Sequence, residues 1–192
     1  MANEFSLDNL LRLLAFYARE QGLEPITVLP LFVGLTHDPD GSFATASRIA
    51  RWLRQILNEE TALVATGDLV HYGTVYSSPE EMAGKPADIA ELEVFFVELV
   101  GDALERACRE DYEAFYCLTT EELKSDQRQI VPVICEYLGE GSGYETCSST
   151  CRTIRGSLQV EPPSVVASAL VGFTPAASAR GGSGGRTRHR SP

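Results

Sequence analysis

An Asp and a His three residues apart, just past an apolar run, are the residues of this chain best placed to do chemistry. The stretch reads Ala65-Thr66-Gly67-Asp68-Leu69-Val70-His71-Tyr72-Gly73. A carboxylate such as Asp68 accepts hydrogen bonds, and an imidazole such as His71 exchanges a proton near neutral pH. The two form a candidate acid–base pair, with Asp68 orienting the ring. Gly67 and Gly73 bracket the turn and permit sharp backbone geometry. That geometry predicts Asp68 and His71 in one shared cleft, with Tyr72 beside them and the 74–86 loop above. Gly67, Tyr72 and Gly73 are therefore candidate binding residues. The plainer reading of the same spacing is a polar turn, with Asp68 as a cap and His71 idle on the surface.

The elements that must position this pair follow from apolar periodicity. Leu7, Leu10, Leu11, Leu14 and Ala18 predict a helix over 6–21. The nearly continuous apolar run Ile26 to Gly34 predicts a strand, with Pro30 marking an edge or a bulge. A helix over 42–58 and a short buried strand over 61–67 come next. Helix, strand, helix, strand is the order of a right-handed crossover in a parallel sheet. Asp68 and His71 then leave the C-terminal end of a strand, where open α/β sheets place ligands. Further helices are expected over 87–109, 111–124 and 129–138, and strand-like segments over 144–159 and 164–173. The fold class expected is α/β, with a mixed, mostly parallel central sheet and helices on both faces.

Composition bounds the partners. The chain has 192 residues and a formal net charge of -11, which disfavours nucleic acid and anionic membrane as partners. It contains no apolar run of about eighteen residues, and Met1-Ala2-Asn3-Glu4-Phe5 lacks the pattern of a secretory signal. A cytoplasmic protein is expected. One domain over 1–174 is followed by a Gly/Ser/Arg tail over 175–192, expected to be disordered, with Arg180, Arg186, Arg188 and Arg190. Cys108, Cys117, Cys135, Cys147 and Cys151 make an odd number, which argues against a disulfide framework. Cys147 and Cys151 have no His nearby and read as reduced thiols rather than zinc ligands.

Four pieces in order resemble the MEMO-like family, whose bacterial members are called AmmeMemoRadiSam system protein B. Ile26 to Gly34 is similar to the family's strand with a Val-Pro-hydrophobic-Val-Gly pattern. Gly67-Asp68-Leu69-Val70-His71-Tyr72-Gly73 resembles its Ser-Asp-x-x-His-Tyr/Trp-Gly signature. Asp102 to Phe115 resembles its helix before an Asp-x-x-x-Phe element, and Ser164-Val165-Val166-Ala167-Ser168-Ala169 its closing Ser-Val-x-x-Tyr-Ala strand. The resemblance covers residues 4 to 173. It implies the fold of the related class III extradiol ring-cleavage dioxygenases, with His71 as a general base next to a metal.

The chain departs from that pattern at the metal. Family members are longer, with extra sequence upstream that carries a ligating His. A second ligating His lies in a Glu-His-Ser-Leu motif, and Glu4-Phe5-Ser6-Leu7 puts Phe5 in its place. The third ligand is a Cys, and Ser125-Asp126-Gln127-Arg128 puts Asp126 there. Phenylalanine cannot ligate. No cofactor is therefore expected in the isolated chain, which reads as a degenerate, pseudoenzyme-like scaffold acting by binding, with a protein partner or a second copy across an exposed sheet edge. The alternatives are a metal-dependent oxidoreductase completed by a partner chain supplying the missing histidines, with iron or another divalent metal, and a truncated version of an ordinary family member.

Overall fold

The computed structural model describes residues 5–153 and 164–175, with side chains over 7–146 and 164–175. Among the described residues there are six helices: α1 (Phe5–Glu20), α2 (Ala44–Ile56), α3 (Pro79–Met82), α4 (Ile89–Cys108), α5 (Tyr112–Glu121) and α6 (Val131–Leu138). All but the one-turn α3, which a Ser78–Glu81 capping box starts, form where apolar residues repeat at helical spacing. A 3-10 turn, Asp126–Gln129, leads into α6. On α2 the buried residues Ala46, Ala50 and Leu53 lie on one face. Its start has no cap of its own. Asp38 folds back instead, and its carboxylate accepts from the Thr45 N–H at 2.9 Å and the Thr45 hydroxyl at 2.6 Å. Helix α4 is capped conventionally, since Asp88 accepts from the N–H groups of Ala90 and Glu91. Pro132 sits in the first turn of α6, where its missing N–H costs nothing.

Three strands, β1 (Val70–Tyr72), β2 (Gly143–Thr153) and β3 (Val165–Thr174), form one sheet in the order β1-β3-β2. Both pairings are antiparallel: Val70 faces Ala167 and Tyr72 faces Val165, while β2 runs along β3 with a register shift between Thr146 and Ser148. Helix α2 packs on α6, and α4 packs on α5 and β2. The core between them holds Leu53, Val70, Tyr72, Leu92, Phe96, Leu104, Phe115, Leu123, Val133 and Val165. The Tyr144 hydroxyl donates to the Gly101 carbonyl at 3.0 Å and pins β2 to α4.

The chain is a mixture of helix and strand, but the expected strands over 26–34 and 61–67 do not form, and no parallel pair exists among the described residues. The physical reason is a lack of neighbours. A strand satisfies its backbone only by lying beside another, and residues 24–35 make no backbone–backbone hydrogen bond to another described residue. Several of their apolar side chains stay in solvent, with Leu29 68% and Leu35 80% exposed, while Val33 packs against the core. The local strand begins later than expected, at Val70, where β3 is available as a partner. Helix α1 folds onto the segment that follows it, around a hollow of about 380 Å³ lined by Leu11, Leu14, Ala18, Leu23, Ile26 and Val28. No helix among the described residues is long and apolar enough to cross a membrane. The tail from 176 onward and the Cys147 and Cys151 side chains lie outside what is described.

Candidate functional site

The segment Asp68–His71 is clamped from both sides. On one side the Leu69 N–H donates to the Ala167 carbonyl of β3 at 2.9 Å. On the other runs Leu123–Asp126. The His71 N–H donates to the Leu123 carbonyl at 2.8 Å, and the Asp126 N–H to the Asp68 carbonyl at 3.0 Å. The buried Ser125 hydroxyl adds a bond to the same Asp68 carbonyl at 3.1 Å and caps the 3-10 turn by accepting from the Gln127 N–H. Gly67 allows this close approach. Its φ is +156°, and a Cβ there would overlap the Gln127 side-chain amide and lie 3.1 Å from the Asp126 Cβ.

These contacts seat the His71 ring. Its Nδ1 lies 2.8 Å from the Lys124 carbonyl. A carbonyl only accepts, so Nδ1 carries the proton and donates. Nε2 then faces outward, 3.5 Å from Asp68 Oδ2 and 4.0 Å from Asp126 Oδ2. One oxygen of each carboxylate and one ring nitrogen all lie within 4.8 Å of one another. Tyr76 packs on the ring with centroids 4.8 Å apart. Gly73, at φ +105°, turns the chain so that its carbonyl accepts from the N–H groups of Tyr76 and Ser77 at 2.8 Å. The 74–86 loop thus reaches the site through Tyr76, and Lys124 fastens it there: the ammonium donates to the Tyr76 carbonyl at 2.8 Å and pairs with Glu81 at 2.7 Å. That pairing, with bonds from Ser78, holds the Glu81 carboxyl below its ordinary range.

Tyr72 is not beside the pair, contrary to the reading from spacing. Side chains alternate across a strand, so when His71 faces outward, Val70 and Tyr72 face the core. The Tyr72 ring packs on Phe96 with centroids 5.1 Å apart, and burial pushes its hydroxyl up. Asp126, considered from sequence only as a lone replacement for a ligand, joins Asp68 and His71. Phe5 begins α1, and its side chain lies outside what is described. His37 belongs elsewhere: it pairs with Glu113 at 3.2 Å and stacks on Tyr116. Sequence reasoning missed Lys124 and Tyr76. Neither has a spacing signal, because Lys124 acts through its carbonyl across 53 positions of sequence. Its φ of +50° is uncommon for a residue with a side chain.

The local charge is one-sided. Among the described residues no Lys or Arg pairs with Asp68 or Asp126. Lys124 is engaged by Glu81, Lys85 by Glu122 at 2.9 Å, and Arg128 by the Ser125 carbonyl at 2.7 Å. The donor set, two carboxylates and an imidazole, suits a proton in transit or a hard to borderline divalent cation. The set holds one imidazole and no thiolate. Compared with family models, with curated proteins and with solved structures, the chain matches none.

Proposed function

We propose that the chain is a degenerate MEMO-like scaffold that acts by binding a strand-bearing protein partner. The observation that carries this reading is the pair of segments 26–35 and 61–66. They are rich in β-branched and other apolar residues, they take no regular structure, and they expose Ile26, Leu29, Phe32, Leu35 and Val64. Unpaired backbone beside apolar side chains is a template for strand addition. On this reading the partner's strands complete the mostly parallel sheet, with α2 and α4 covering its faces. The test is amide hydrogen exchange on the purified chain, with light scattering to fix its mass. Amides of 26–35 and 62–67 are expected to exchange freely while those around Phe96 and Leu104 are protected. Leu29→Asp and Val64→Asp should leave the thermal midpoint of the monomer unchanged. Protection of both segments in the monomer would overturn the reading. A stable dimer dissociated by Leu29→Asp would replace the partner with a second copy.

A second reading is favoured by the convergence of Asp68, His71 and Asp126. Here the chain is one half of a metal-dependent oxidoreductase of the class III extradiol dioxygenase type, and a partner supplies the missing histidines. Iron or another divalent metal would supply the redox chemistry when bound. The chain's own contribution would be His71 as proton acceptor at Nε2, oriented through Nδ1, with Asp68 beside it. Activity that appears only on mixing with the partner, and disappears in His71→Gln, would distinguish this reading from binding alone.

A further inference from the structure

The geometry points to a divalent-cation site formed by this chain alone from Asp68, His71 and Asp126. It does not rest on the partner-binding reading, and it departs from the expectation of a metal-free isolated chain. Three observations carry it. The first is separation. Nε2 stands 3.5 Å and 4.0 Å from the two carboxylate oxygens, and all three atoms lie within 4.8 Å of one another. Ligands about 2.1 Å from one ion stand about 3 Å apart when adjacent and about 4.2 Å apart when opposite. The observed spacings need only a small closing of exposed carboxylates onto an ion.

The second observation is the tautomer. A ligating imidazole typically donates its other N–H to a carbonyl or carboxylate, which fixes the ring and leaves a lone pair for the metal. The Lys124 carbonyl does this at Nδ1, 2.8 Å away. The His71 side chain is only 16% exposed and is packed by Tyr76, so the lone pair is held in place rather than sampled. A neutral ring in this seat aims an acceptor at two further acceptors. A cation there would satisfy all three at once.

The third observation is charge. The two carboxylates carry -2 together, every nearby Lys and Arg among the described residues is engaged elsewhere, and a divalent ion balances the set. Oxygen-rich ligation with one imidazole favours Mn²⁺-like ions over soft ones such as Cu⁺. Asp68 and Asp126 are 42% and 56% exposed in their side chains, which leaves the remaining coordination positions to water. The affinity expected of so open a site is modest.

The experiment titrates the purified full chain with MnCl₂ alone, following free Mn²⁺ by electron paramagnetic resonance and the imidazole signals by NMR. The expected result is one saturable Mn²⁺ per chain, with paramagnetic broadening of the His71 ring and not of the His37 ring. Asp126→Asn and Asp68→Asn should each weaken binding by about tenfold or more. Circular dichroism would establish that both variants stay folded, and Glu113→Gln beside His37 should bind as the parent does. Absence of saturable binding up to about 10 mM, beyond the weak end of protein sites for such ions, would overturn the proposal. Unchanged affinity in Asp126→Asn, or broadening centred on His37, would overturn it as well.

Discussion

Replacing Gly67 by alanine adds one methyl group where the Asp68 turn meets the 3-10 turn. Two separate costs follow. Gly67 has φ +156°, a backbone conformation that residues with a Cβ rarely adopt, and forcing a side chain into positive φ costs about 1–2 kcal/mol. The new Cβ also overlaps the Gln127 amide and presses on the Asp126 Cβ at 3.1 Å. Gln127 is 7% exposed, so its amide has little room to swing aside, and such overpacking costs about 1–3 kcal/mol. Gly84 separates the two effects. It has φ +81°, but a methyl group added there meets nothing within 4 Å, so Gly84→Ala carries the backbone cost alone. Urea denaturation followed by circular dichroism is expected to show Gly67→Ala less stable than Gly84→Ala by about 1–3 kcal/mol. Equal destabilisation of the two variants would mean that Gln127 and Asp126 do not crowd Gly67, and the account of how Asp126 is brought to His71 would fail.

Other positions give independent checks. Thr36 is fully buried, its hydroxyl donates to the Gln129 carbonyl at 2.8 Å, and Gln129 Oε1 accepts from its N–H at 2.7 Å; Thr36→Val keeps the N–H bond but takes the hydroxyl donor from the Gln129 carbonyl and should cost about 1–3 kcal/mol in urea denaturation. The Asp38 carboxyl is held below its ordinary value by the Thr45 hydroxyl and N–H, so its support of α2 is fully present above the unfolded-state pKa of 3.8 and is lost as pH falls through the lower folded value. Asp38→Asn should therefore flatten the acid limb of a stability–pH curve, and an unchanged limb would contradict the cap. The Cys108 thiol is lowered because the Cys135 thiol donates to it, whereas burial and Glu113 push Cys117 upward. Alkylation of Cys108 should set in at a lower pH than that of Cys117, and Cys135→Ala should move the Cys108 midpoint up.

The longer helices were legible because each carries its own signal, whereas α3 falls within the expected 74–86 loop, its four residues holding no apolar repeat. Ala46, Ala50 and Leu53 on α2, and Leu92, Phe96, Ala103 and Leu104 on α4, repeat at a spacing that only a helix turns to one side, and Asp88 and Gly139 mark ends that local backbone geometry enforces. The strands divide differently. The strand-like segments expected over 144–159 and 164–173 form strands over the described residues 143–153 and 165–174, because each is the other's neighbour, and they pair antiparallel; 154–159 lie outside the described residues. Residues 26–34 and 61–67 have equally strand-like composition and form none, since a strand's hydrogen bonds belong to whatever lies beside it.

The candidate site shows the same boundary. The turn expected between Gly67 and Gly73 is instead strand β1, paired with β3; sequence alone determined only that Asp68 and His71 stand three residues apart between two glycines, which are local facts. It could not determine that Tyr72 faces the core, which depended on where β1 began and hence on β3. Nor could it determine that Asp126 and the Lys124 carbonyl complete the group around His71 Nε2 and Nδ1. That was decided by tertiary structure: bonds from Leu123, Ser125 and Asp126 to the backbone of 68–71 join segments more than fifty residues apart, and no local propensity encodes a contact between two loops.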